Sequence, residues 1–222
     1  MTRQLRSTPL KRDQFGAVSR LDLPDGSCCA LRDTNAAAWW ASGIAHWLAG
    51  REALALSRLP ADRGLPRLLS WDGRQLRRSW LAGRPMQVAQ PRDPRYFRDA
   101  LRLLRSLHAA GIVHNDLAKE PNWLVDDDGR PGLVDFQLAM RPRMRGRRFR
   151  ALAWDDLRHL LKHKRTYCPD RLTARQRKIL AQRSWIAQAW AASGKPVYRF
   201  VTRGLFGWSD REGARDRGAS HG

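Results

Sequence analysis

The chain is short of lysine, cysteine and acidic residues. Only 6 of its 42 basic residues are Lys, and acids number 21, which leaves a formal net charge of +21 over 222 residues. No lysine lies between Lys11 and Lys119. Any cation serving that stretch is therefore an arginine, which binds anions as a planar fork instead of a compact point charge. Cys28, Cys29 and Cys168 are odd in number and sit in no loop-rich framework. That excludes a secreted disulfide scaffold and suits a reducing compartment. Residues Met1 to Arg12 are polar and basic and lack the apolar core of a signal peptide, so a cytoplasmic location is expected. The chain has no G-x-G-x-x-G sequence, which excludes a conventional glycine-rich phosphate loop. The uncharged stretch from Thr34 to Gly50 contains Trp39, Trp40 and Trp47, but it is interrupted by Asn35, Ser42, Gly43 and His46. At 17 residues it falls short of the roughly 20 apolar residues a membrane-spanning helix needs, and leaves open a Trp-rich helix lying against a membrane surface.

With 42% hydrophobic residues the chain can bury enough surface to offset chain entropy, so it is expected to fold as one domain or as one core split into two lobes. Leu21–Leu23 and Cys28–Leu31 flank an Asp25-Gly26 turn and read as a hairpin. A helix is expected from about Ala36 to Leu59, with Trp40, Ile44, Trp47, Leu48, Ala55 and Leu59 as its apolar stripe. Glu52 falls inside that stripe. It either reaches solvent at the edge of the stripe or meets a basic residue on a neighbouring strand, for which Arg32 is available.

Strands are expected at Leu65–Trp71 and Gln75–Leu81 around Asp72-Gly73. Ala82-Gly83-Arg84-Pro85 then breaks the pattern and the chain becomes helical. Asp93 can cap a helix whose first turn holds Pro94 and whose apolar face carries Phe97, Leu101, Leu104 and His108, with Gly111 as its stop. Trp123–Val125 and Leu133–Val134 read as a second hairpin. The acidic turn between them shows only the opening of a calcium-ligand series and reads as a turn. Helices are expected again at Leu152–Lys164 and Thr173–Ala192. His159 and His163, with Cys168 beyond, lack a fourth zinc ligand and read as solvated helix residues.

The chemistry concentrates in His114-Asn115-Asp116-Leu117-Ala118-Lys119-Glu120-Pro121-Asn122 and, 13 residues further on, Asp135-Phe136-Gln137. Phosphoryl transfer needs a carboxylate to accept or orient an acceptor hydroxyl, and hard oxygen ligands to hold Mg²⁺ on nucleotide phosphates. Asp116 suits the first role, and Asn122 and Asp135 the second. Directly after this region, six of the ten residues from Arg141 to Arg150 are Arg. They form either a solvated loop or a clamp for an anionic acceptor or membrane surface.

In order and type, these residues resemble the HxD…N and DFG patterns of the protein-kinase-like superfamily. The chain looks most like its small bacterial members, the lipopolysaccharide-core (Kdo and heptose) kinases and the RIO-type kinases. The resemblance implies an α+β, bilobal fold: a small antiparallel-sheet N-lobe with one long helix over residues 1–84 and a mainly helical C-lobe over 85–212, and the polar, Gly-containing end over 213–222 reads as a mobile tail. It implies Asp116 as catalytic base, His114 as a support of the loop, and Asn122 and Asp135 as Mg²⁺ ligands. Lys119 lies where it can neutralise the γ-phosphate, and Asp155 or Asp156 can brace the loop from behind. Glu52 matches the helix glutamate that holds the nucleotide through a strand lysine, with Arg32 at the strand position.

The departures are Arg32 itself, the phosphate-covering turn reduced to Phe15-Gly16-Ala17, Gln137 after Asp-Phe, and one extra residue between Asp116 and Asn122 that the loop has to absorb. ATP and Mg²⁺ are the implied cofactors. A protein Ser/Thr or a lipopolysaccharide-core sugar is the implied acceptor, with a small-molecule acceptor third. The alternative is a pseudokinase or basic scaffold that binds an anionic partner, a membrane or nucleic acid, without catalysis.

Overall fold

The computed structural model describes residues 6–141 and 145–182. The expected tail, the end of the helix drawn to Ala192, and residues 142–144 of the arginine run lie outside them. The chain opens with β1 (Arg6–Asp13), β2 (Gly16–Asp22) and β3 (Cys28–Asp33). Helix α1 (Ser42–Leu56) follows, and then β4 (Leu68–Trp71) and β5 (Gln75–Ser79). The five strands form one antiparallel sheet in the order β1-β2-β3-β5-β4. Strand β1 was not expected. All its residues are exposed, so it shows no alternation to read, and its register slips between Pro9 and Lys11, beside a residue that cannot donate to the ladder.

Gly16 lies at the β1–β2 turn with φ +124, and a Cβ there would stand 2.4 Å from the Asp33 carbonyl oxygen. The turn is therefore pressed onto the end of β3, and only glycine fits. The Asp25-Gly26 and Asp72-Gly73 turns join the strand pairs that the sequence suggests, with φ +85 at Gly26 and +91 at Gly73.

Helix α1 corrects the expectation in both extent and orientation. It begins at Ser42, and its inward face consists of Ala45, Ala49, Glu52, Ala53 and Leu56. Ile44 and Trp47, expected inside, are 49% and 58% exposed. Small side chains let the helix lie close against the sheet, and the larger residues face water. Ala55 and Leu59 do pack against the core, as expected.

The remaining elements are β6 (Arg84–Pro85), the short α2 (Met86–Ala89), α3 (Pro94–Ala109), β7 (Trp123–Val125), β8 (Pro131–Leu133), α4 (Arg147–Tyr167) and α5 (Ala174–Ala181). Strands β6, β7 and β8 form a second antiparallel sheet. Asp93 caps α3 by accepting from Arg95 N, and Pro94 occupies its first turn. Helix α4 starts five residues before the expected Leu152, because Phe149 is buried and packs edge-on against His108.

One cluster of buried side chains links Ala53, Leu56 and Leu76 to Tyr96, Leu104, Trp123, Phe136 and Leu160. Each large member contributes about 1.5–3 kcal/mol by leaving water. Among the described residues no helix is long and apolar enough to cross a membrane.

Gly16→Ala is expected to lower stability by about 2–4 kcal/mol, from the clash and the positive φ together. A lower urea midpoint at unchanged slope would show this, and an unchanged midpoint would refute the tight packing of the turn on β3.

Candidate active site

Gly111, at φ +77, turns the chain out of α3 into the loop that carries the candidate residues. Val113 is buried and exchanges 2.9 Å backbone hydrogen bonds with Met140, tying the two sides of the site together. The loop is then held from behind by Asp156 of α4, which is 1% exposed. Its carboxylate accepts from His114 N at 2.8 Å, Asn115 N at 3.0 Å and His108 Nε2 at 3.1 Å. Charged acceptors of this kind make the stronger protein hydrogen bonds. Of the two acids suggested for this brace, Asp156 provides it, from well inside α4 instead of its opening.

His114 is fully buried, its Nε2 donates to the Val134 carbonyl at 3.0 Å, and its ring lies 4.7 Å from that of Phe136. It is therefore a structural link between the loop and the Asp135-Phe136 turn. His163 of α4 donates to the Leu117 carbonyl at 2.8 Å, and Tyr167 donates to Glu120 at 2.6 Å. This overturns the reading of His163 and Cys168 as solvated. They are 6% and 5% exposed, and Cys168 donates to the Arg92 carbonyl. Both are spent on holding backbone in place. Among the described residues no group of His, Cys, Asp and Glu gathers as a metal cluster.

In front of these supports stand Asp116, Lys119 and Asn122. Asn122 Nδ2 donates to the Asp116 main-chain oxygen at 2.8 Å and to its Oδ2 at 3.1 Å. Lys119 Nζ lies 2.9 Å from the same Oδ2. The extra residue between Asp116 and Asn122 is taken up by a 3-10 turn at Glu120–Asn122, which returns Asn122 to Asp116. With its nitrogen committed, the Asn122 side chain has its amide oxygen left to offer a cation.

Asp135 follows directly on Val134, whose N–H bonds to the Asn122 carbonyl at 3.0 Å. Asn115 and Asp135 both hold φ +65, a strained conformation that costs about 1–3 kcal/mol and that surrounding contacts must impose. Asp135 Oδ1 is buried and accepts no hydrogen bond. A buried carboxylate oxygen without a donor is costly unless a cation meets it. Together, the Asp135 carboxylate and the Asn122 amide oxygen suit Mg²⁺, which takes one or two protein oxygens and completes its shell with phosphates and water.

Glu52 closes the site on the sheet side. It is fully buried, with Arg32 Nε at 3.2 Å from Oε2 and Arg78 Nε at 3.5 Å from Oε1. Neither contact meets hydrogen-bond geometry, so the attraction is mainly coulombic. Burial pushes the Glu52 carboxyl above the usual carboxylate range against the opposing pull of Arg32 and Arg78, and the Asp135 charge adds to the rise. The acidic turn after β7 closes on itself, with Arg130 N donating to Asp126, as a turn does.

Of the residues singled out from sequence, Asp116, Lys119 and Asn122 are in direct contact. His114 and Asp135 are linked to them through Val134, which directly precedes Asp135, accepts from His114 and donates to the Asn122 carbonyl, and Arg32 and Glu52 form a separate ion pair on the sheet side. Arg78 and the roles of His108 and His163 escaped the sequence reading. The signal for Arg78 was available: Leu76 is 1% exposed, and in a strand the residue two further on shares its face.

The sequence matches the profile of the phosphotransferase enzyme family (APH) over residues 31–142, half of the chain. The matched stretch begins in β3, ends just past Met140 and contains Arg32, Glu52, Asp116, Lys119, Asn122 and Asp135. No curated protein matches the chain.

Burial pushes the His163 ring below the ordinary histidine value of 6.5, opposed by its bond to Leu117 and by Glu120. A histidine whose folded pKa is lowered stabilises the fold above its unfolded pKa, and that contribution drains as pH falls through 6.5 toward the folded value. His163→Gln removes the titration. Below the unfolded pKa the wild type is expected to lose stability relative to this variant by up to about 1.4 kcal/mol per pH unit. Urea midpoints measured across pH test this, and parallel profiles would contradict it.

Proposed function

The chain belongs to the phosphotransferase enzyme family, within the protein-kinase-like superfamily, and from that premise we propose that it transfers the γ-phosphoryl group of ATP to an alcohol hydroxyl. The observation that carries the proposal is the orphaned, buried Oδ1 of Asp135, one residue after Val134, whose N–H bonds to the carbonyl of Asn122 in the Asp116–Asn122–Lys119 cluster.

In this reading the nucleotide lies between residues 1–84 and 85–212, the two lobes of a kinase-like fold. Asn122 and Asp135 would hold Mg²⁺, which supplies neutralising charge to the phosphates when bound. Asp116 orients the acceptor hydroxyl and takes its proton as the oxygen bonds to the γ-phosphorus and the bond to the β–γ bridging oxygen breaks. Lys119, 2.9 Å from the Asp116 carboxylate and half-exposed, faces the same space and offsets charge on the transferred group. Arg32 stands in for the usual strand lysine. It has to serve Glu52 and a phosphate together, which a guanidinium can do because its N–H donors point in several directions.

The acceptor class follows from the resemblance to lipopolysaccharide-core and RIO-type kinases: a sugar hydroxyl of phosphorylated lipopolysaccharide core, or a protein Ser/Thr. The capture of both Arg32 and Arg78 by Glu52 favours the second reading, a pseudokinase that keeps the site and has lost transfer.

MgATP is expected to raise the thermal midpoint of the wild type, and Asp135→Ala to erase the Mg²⁺-dependent part of the rise. Asp116→Ala should keep nucleotide binding while transfer of γ-label into a fractionated lysate falls by about 10²–10⁴-fold. Label in protein or in lipopolysaccharide identifies the acceptor. Binding without any wild-type transfer supports the pseudokinase, and no midpoint shift at saturating nucleotide overturns the enzyme reading.

A further inference from the structure

Neither the outward face of α1 nor the cleft it borders contains Asp116, Lys119, Asn122 or Asp135. Ile44, Trp47, Arg51 and Leu54 follow one another at helical spacing along a single stripe, opposite the buried Ala45–Ala49–Glu52–Leu56 face, and Arg58 follows just past the helix end. Ile44, Trp47 and Leu54 are 49%, 58% and 58% exposed. Three residues before the helix, Trp39 is 90% exposed. Large apolar side chains exposed together along one helix face mark an interaction site more often than singly scattered ones do.

The same stripe runs into a cleft of about 590 Å³ lined by Arg51, Leu54, Arg58, Arg141, Arg145 and Arg148, together with the segment after α3 and Ala139–Met140. No Asp or Glu is among the described residues that line it. Arg51 is fixed by a 3.0 Å hydrogen bond to the Ala139 carbonyl and by stacking 4.7 Å from the Trp47 ring. Arg145 donates to the Ala109 carbonyl. Five guanidinium groups without a neighbouring carboxylate make a surface complementary to clustered phosphates. Asp116 is not part of the cleft, so a ligand held there is not at the candidate catalytic carboxylate.

We propose that this face is a docking surface for an anionic lipid bilayer. The arginine cleft takes the phosphate headgroups, while Trp39, Ile44, Trp47 and Leu54 enter the interfacial region. The pairing of an exposed Trp and aliphatic stripe with flanking arginines is the pattern of interfacial helices that bind anionic membranes. A nucleic acid would satisfy the arginines and could stack on Trp47, but it offers nothing to Ile44 and Leu54. The proposal does not depend on phosphoryl transfer, and its test uses no nucleotide.

Sedimentation of the full chain with phosphatidylcholine vesicles, with and without phosphatidylglycerol, tests it. The wild type is expected to partition onto the phosphatidylglycerol vesicles only. Ile44→Ser with Trp47→Ser leaves the net charge unchanged and should weaken partition by about tenfold or more, because binding scales with buried apolar area. Arg141→Gln with Arg148→Gln should cost about fivefold for each charge. That loss should exceed the loss from Arg95→Gln with Arg98→Gln, two exposed arginines on α3 that remove the same charge elsewhere. Undiminished partition of the serine variant, or an equal loss from the α3 pair, overturns the proposal in favour of unspecific attraction by a basic protein. Tight binding to a single-stranded oligonucleotide without partition onto either vesicle overturns it in favour of nucleic acid.

Discussion

A fully buried glutamate held between two arginines sets the arrangement of the N-terminal half of this protein. Glu52 lies inside α1, Arg32 is on β3 and Arg78 on the neighbouring β5, and both Nε atoms reach the carboxylate within 3.5 Å. The burial that raises the Glu52 pKa is the same cost that makes the ionised form depend on those two cations. Losing a partner from a buried pair of this kind costs about 3–5 kcal/mol. The helix has one rotation about its axis that satisfies this constraint. That rotation brings Ala45, Ala49 and Ala53 against the sheet side and sends Ile44, Trp47 and Leu54 outward.

The loop bearing Asp116 has a separate anchor of the same physical type. Asp156, also buried, accepts from two consecutive backbone N–H groups of the loop and from His108. One buried acid thus fixes the loop to α4 and the other fixes α1 to the sheet. The Asp135 carboxylate is close enough to Glu52 to raise its pKa, and one of its oxygens is unmatched. Fixed surroundings and one unmet acceptor are what a preorganised cation and phosphate site requires.

Local patterns were legible in the sequence. The capped start of α3 at Asp93-Pro94, the Asp-Gly turns, and the run from His114 through Asp135 depend on contacts a few residues apart. The orientation of α1 was not, because hydrophobic periodicity ranks Trp and Ile above Ala, whereas the sheet and the Glu52 ion pair select the small face. Arg78 was missed because its partner is a helix distant in sequence, although its alternation with Leu76 placed it inward. His163 and Cys168 were misjudged for a related reason: residues that satisfy loop carbonyls look like ordinary polar helix positions until the loop is folded over them. The extra residue before Asn122 registered as a departure, and its accommodation by a 3-10 turn appears only in three dimensions.

The central claim is that the arginine-paired Glu52 belongs to a nucleotide site and is not merely a strut between helix and sheet. A double-mutant cycle on MgATP affinity, with Glu52→Gln, Arg32→Gln and the pair together, tests it most directly. Each single change is expected to weaken nucleotide binding and the double change to cost less than the sum, with a coupling of about 1 kcal/mol or more. Unchanged nucleotide affinity in all three variants, or strictly additive losses, would contradict it.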